Sequence, residues 1–154
     1  MRIEPLSRPA VEYVVSNMRA WDRSEIFATR WSDDEVPMVD QVMAMGDVSW
    51  VAYGEGDTPI AVFGCAPLWP GVWSMWFFAT DNIHQIGISV TKMIVRHIIP
   101  MLWDGGAHRL QCHSMEGHVD AQNWLETIGA SREGTARGYG RSGQDFHCYV
   151  WEKP

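Results

Sequence analysis

Hydrophobic spacing along the chain changes period several times. In AQNWLETIGAS, Ala121, Trp124, Leu125 and Ile128 fall at i, i+3, i+4 and i+7, one face of a short helix. Gly129 follows where a left-handed helix stop is expected. The run GISVTKMIVRHIIPMLW predicts a long amphipathic helix from about Ile83 to Trp103. Lys92, Arg96 and Pro100 interrupt it, so it reads as a buried helix rather than a membrane span. The segments SWVAY, IAVFGCAPL and VWSMWFFAT read as strands, the first two joined by the turn-rich GEGDTP. VWSMWFFAT is apolar on both faces, with Val72, Trp76 and Phe78 on one and Trp73, Met75 and Phe77 on the other. Such a strand belongs in the middle of a sheet with helices on either side. RLQCHS is a further strand, and SREGTAR and DFHCYVW form a final pair joined by GYGRSGQ.

The N-terminal third is less regular. Val11, Val14, Val15 and Met18 fit a helical face, whereas the β-branched run Tyr13-Val14-Val15 favours a strand. WDRSEIFATRW predicts a helix, and Asp22 with Glu25 three residues on reads as a capping box with Asp in the Ser/Thr place. A second such box at Ser32 and Glu35 conflicts with Pro37. A start at Pro37 is preferred, the helix then running to Gly46. A long helix separates VWSMWFFAT from RLQCHS, so these two can lie parallel through a right-handed crossover. The other strands are joined by tight turns and should be antiparallel.

Composition narrows the classes. The 154 residues, 46% apolar and 20% charged, suit one globular domain spanning 1–154. A net charge of -7 argues against a nucleic-acid or polybasic membrane binder, with Arg132, Arg137 and Arg141 the one local cluster of positive charge. MRIEPLSRPAVEY has no apolar core of a secretory signal, so secretion is not expected. Cys65, Cys112 and Cys148 form no Cys-x-x-Cys and read as reduced thiols. His108, His113 and His118 span loop, strand and loop, so no metal site is expected. Nine Trp and nine Met fit either a core of large side chains or a partner surface. Trp69 and Trp73, beside the turn at Pro70-Gly71, are candidates for the latter.

The element order is strand, one or two helices, three strands, long helix, strand, short helix, two strands. It resembles the GCN5-related N-acetyltransferase (GNAT) fold over nearly the whole chain. Family members commonly carry Asn-x-x-Ala-x-x-Leu-Tyr-x-x-x-Gly-Phe before the last two strands, and here the stretch is His118-x-x-Ala121-x-x-Trp124-Leu125-x-x-x-Gly129-Ala130. The resemblance implies a mixed, mostly antiparallel α+β sheet with one parallel, splayed strand pair and helices on both faces. It also favours a strand for the first segment. The end, WLETIGASREGTARGYGRSGQDFHCYVW, is similar to small GNAT-like proteins of short-tailed bacteriophages, some of them internal virion proteins.

What the resemblance implies for chemistry is specific. Acetyl-CoA would be the cofactor, its pyrophosphate on the N–H groups at the start of the long helix. Against the family's Arg/Gln-x-x-Gly-x-Gly/Ala, the loop offers Gln85, Ile86, Gly87, Ile88 and Ser89. His118 takes the place of the Asn that contacts pantetheine, and Leu125 that of the Tyr that protonates the leaving thiolate. His118, Glu116 and Tyr139 are the candidates for proton transfer. Two readings follow. One is a phage virion-associated component with a degenerate acetyl-CoA site, its partners other virion proteins or itself. The other is an active N-acetyltransferase acting on an amine of a peptide or small molecule.

Overall fold

The strand apolar on both faces sits in the middle of the sheet. The computed structural model describes residues 1–154. One seven-stranded sheet runs in the order β1-β2-β3-β4-β5-β7-β6. Its strands are β1 (Arg2–Pro5), β2 (Ser49–Tyr53), β3 (Pro59–Trp69), β4 (Val72–Ala79), β5 (Arg109–Met115), β6 (Ser131–Ala136) and β7 (Phe146–Glu152). Every pairing is antiparallel except β4 with β5. The fold is therefore the mixed α+β sheet expected, with helices on both faces.

On one face pack α1 (Arg8–Ser16), α2 (Ala20–Ala28) and α3 (Glu35–Met43). Val11, Val14 and Val15 of α1 meet Val39 and Val42 of α3 over Val51, Val62 and Phe78 of the sheet. The other face carries a 3₁₀ turn (Asp81–Gln85), α4 (Gly87–Met93), a π-helical segment (Ile94–Ile98), α5 (Ile99–Asp104) and α6 (Val119–Thr127). These cover Phe63, Cys65, Ala79 and Leu110. The long helix is thus continuous from Gly87 to Asp104, but it widens into π form ahead of Pro100, which lacks an N–H for the carbonyl four residues back.

Three expectations are corrected. The segment around Val14 is helix α1, not a strand, and the first strand is the edge β1 at Arg2–Pro5. Pro9 sits in the first turn of α1, and helical spacing lets Val11, Val14 and Val15 all be buried, which outweighs their β-preference. The Asp22–Glu25 pair is no capping box either. α2 begins at Ala20 with Arg19 at its cap, and no side chain caps it. Asp34 caps α3 instead, accepting the Val36 N–H at 3.0 Å, so the helix starts at Glu35 rather than Pro37, which falls in its first turn, and it ends at Met43 rather than Gly46.

The feature that positions a site lies between β4 and β5. They pair at Val72–Arg109, Trp73–Leu110 and Ser74–Gln111 only. Beyond that, β4 continues to Ala79 and β5 to Met115 without touching, and the sheet opens.

Candidate active site

Where two strands part, their backbone N–H groups lose their partners, and a buried unpaired N–H is costly. Helix α2 lies across the opening and replaces the missing acceptors. Asp22 Oδ2 accepts the N–H of Ala79, the last residue of β4, at 2.9 Å. Glu25 Oε2 accepts the N–H of Met115, the last residue of β5, at 2.9 Å. The spacing of three residues puts both carboxylates on one helix face.

His118, at the entry to α6, joins them. Its Nδ1–H donates to Glu25 Oε2 at 2.7 Å, and Nε2 stands 3.8 Å from Asp22 Oδ1. The Trp21 ring lies parallel on the imidazole, with centroids 5.4 Å apart. Arg19 grips Asp22 with two nitrogens, Nε at 3.0 Å and Nη2 at 2.9 Å. Burial pushes the Asp22 carboxyl above its ordinary value, more than Arg19, the Ala79 N–H and His118 draw it down. Ser114 Oγ also donates to Glu25 Oε2, at 3.2 Å. Three donors therefore converge on that oxygen, while Oε1 of the same carboxylate accepts no hydrogen bond.

The opening is one wall of a cleft of about 470 Å³ that passes between the strands. Arg19, Asp22, Glu25 and His118 line its α2 side, and Phe77, Val90, Trp124 and Leu125 line the side under α4 and α6. The N–H groups of Gly87, Ile88 and Ser89, at the start of α4, have no acceptor, and a Cβ placed on Gly87 would meet nothing within 4 Å. Across the mouth, Trp124 Nε1 donates to Thr91 Oγ1 at 2.9 Å, and the Trp124 ring packs on Phe77.

The residues singled out from the sequence fall in different places. His118, Gly87 and Ile88 line the cleft. Ile86 is buried in the core beneath it, Ser89 faces outward, and Gln85 reaches toward Gly54 at the end of β2. Glu116 is exposed outside the cleft, its backbone N–H on Asp145. Tyr139 is also outside it, stacked on His113 at 5.1 Å and edge-on to Phe146. Of the aromatic pair at the β3–β4 turn, Trp69 is exposed and Trp73 packs on the core. Arg19, Asp22 and Glu25 also line the cleft, and no motif in the sequence marks them as site residues. The signal for them was two carboxylates three apart on a helix, which a cap explains equally well.

The whole backbone superposes on solved acetyltransferase structures. A ribosomal-protein-alanine N-acetyltransferase from Brucella melitensis matches with a TM-score of 0.73 at 14% identity, covering 99% of this chain and 100% of that one. Ard1 from Thermoplasma volcanium matches with a TM-score of 0.76 at 8% identity, over 99% and 97%. The chain has the GNAT fold. A GCN5-related N-acetyltransferase from Kribbella flavida gives 0.71 at 14% identity, over 99% and 97%. Neither a family model nor a curated protein sequence matches the chain. None of these GNAT-fold structures is named as a virion protein. In GNAT terms the open strand pair is β4–β5, the long helix starts at Gly87, and the short helix carrying His118 at its entry is α6.

Proposed function

We propose that the chain is an acetyl-CoA-dependent N-acetyltransferase whose proton-handling group is Glu25 held by His118. One observation carries the reading: the cleft joins free backbone donors at the start of α4 to the Asp22–His118–Glu25 array by a passage through the sheet. The residues fit the cofactor. Three N–H groups without acceptors and an uncrowded Gly87 suit a pyrophosphate, and the apolar passage along Phe77, Val90 and Trp124 suits a pantetheine arm. Acetyl-CoA, when bound, supplies an activated acyl thioester.

The chain's own residues supply the rest. Glu25 lines the cleft, and its Oε1, free of hydrogen bonds, takes a proton from the acceptor's ammonium group. His118 Nδ1–H holds the other oxygen and fixes the carboxylate's orientation. Asp22, anchored by Arg19 and the Ala79 N–H, faces the far ring nitrogen, so the imidazole is bracketed by two carboxyl groups. Trp21 covers the imidazole and keeps water from it. Leu125 is buried where the family resemblance places a tyrosine, and α6 offers no proton donor at that point. The virion role implied by the C-terminal resemblance draws no support from this geometry.

Thermal melting with CoA and acetyl-CoA tests the reading. A ligand that binds only the folded state adds about 2.7 kcal/mol at a concentration 100 times its Kd. A Tm that climbs with acetyl-CoA concentration is expected, and a flat Tm up to millimolar concentrations would overturn the proposal.

A further inference from the structure

Every arginine of the chain either has a hydrogen-bonded partner or stands exposed in solvent, except Arg30. Its guanidinium is half-buried and meets no carboxylate, carbonyl or hydroxyl. Arg30 follows the C-terminal end of α2 and lines a second pocket, of about 380 Å³, with Trp31, Tyr139, Arg141, Ala28 and Thr29. The β6–β7 loop forms the facing wall and is tied down there, since the Arg141 N–H donates to the Ala28 carbonyl at 2.7 Å. Arg141 itself is bound to Asp33. Tyr139 is held flat against His113.

We propose that this pocket binds the carboxylate of the acceptor, so that the substrate is a small amine that also bears a carboxylate, such as an amino acid or dipeptide. This rests on the acetyltransferase reading for the word acceptor, but the carboxylate site stands on its own geometry. A half-buried cation with no counter-ion is unfavourable, and burial pulls the Arg30 pKa below its ordinary value with nothing opposing it. An anion would supply what is missing. With Arg141 already neutralised by Asp33, the pocket's net charge is that of Arg30 alone, which matches a monoanion better than a phosphate dianion. A guanidinium fork also suits a carboxylate held by two parallel bonds. Trp31 and Tyr139, both exposed, flank the pocket, which favours an apolar or aromatic body on the ligand. Ala28, a wall of this pocket, packs with Met115, whose N–H Glu25 holds, so the pocket lies beside the end of β5 that Glu25 closes.

The test compares ligand pairs that differ only in the anion: phenylalanine against phenylalaninamide, and glycylphenylalanine against its amide. Binding to the full chain is read by ligand-observed NMR, in wild type, Arg30→Gln and Arg30→Lys. Wild type should prefer each acid to its amide by about tenfold, the scale of one charge-assisted bond. Arg30→Gln should abolish the preference, Arg30→Lys should restore part of it, and the acetyl-CoA melting shift should be unchanged in both. Equal binding of acid and amide by wild type, or a preference that survives in Arg30→Gln, would overturn the proposal. If acetyl-CoA gives no shift while the Arg30-dependent preference is present, the acetyltransferase reading falls and the carboxylate site stands.

Discussion

Glu25 differs from the other carboxylates of the chain in how its two oxygens are used. One accepts three donors, closing the end of β5 and holding His118, and the other accepts no hydrogen bond. Glu25→Gln keeps the size and can still accept the Met115 N–H, but an amide cannot take a proton. The variant should therefore lower kcat/KM for acetyl transfer by about 10²-fold, the usual yield of a positioned base, with acetyl-CoA binding retained. Glu116→Gln, on an exposed side chain outside the cleft, should stay within about twofold of wild type in the same assay. Equal losses in the two variants would remove Glu25 from the mechanism. The sequence makes Glu25 hard to find for a definite reason. Asp-x-x-Glu before an apolar run is the pattern of a helix cap, and the same spacing sets two carboxylates on one face. Only the position of α2 across the opened strands decides between the two uses. His118 was easier, because the family pattern ending at Gly129 aligns it with the residue that contacts pantetheine.

Helix α2 also depends on its neighbours. Arg23 donates to Glu35 Oε1 at 2.8 Å and Ser16 donates to Glu35 Oε2 at 2.8 Å, so one carboxylate at the start of α3 ties all three N-terminal helices. The Arg23 hydrogen bond holds the Glu35 carboxyl below its ordinary value of 4.5. A native pKa that is depressed means the ionised form favours the fold, so the contribution is fully present above pH 4.5. It is lost as the pH falls through the depressed native value. Wild type should melt above Glu35→Gln at neutral pH, and the gap should close on acidification below that range. A gap that does not change with pH would show that the tie is not ionic. Elements of this kind were unevenly legible. The centre of the sheet was, because Trp73 to Phe78 alternate between two apolar faces and allow only a covered strand. The N-terminal segment was not, because Val14 and Val15 carry β-preference while their burial against α3 and Phe78 requires a helix.

The molecule as a whole is a sheet that stays closed over three rungs between β4 and β5 and opens beyond them, with each edge of the opening finished from a different direction. On one face α2 plugs the freed N–H groups with carboxylates. On the other, α4 and α6 stand apart and are joined across the mouth through Trp124 Nε1 and Thr91 Oγ1. Those two ties pull in opposite senses for function. The first holds the strands' open shape, whereas the second spans the mouth through which, on the proposed function, a long ligand would pass. Trp124→Phe keeps an aromatic ring against Phe77 but removes the N–H that bridges the helices. Loss of one net hydrogen bond costs about 1 kcal/mol, so the variant should melt a few degrees lower without ligand. If the bridge also narrows the entrance, association of CoA should be faster in the variant, since binding no longer waits for that bond to break. Stopped-flow binding alongside thermal melting separates the effects. A lower Tm with an unchanged or slower association rate would mean that the ligand enters elsewhere, and that the Trp124 bridge only holds α6 to the long helix.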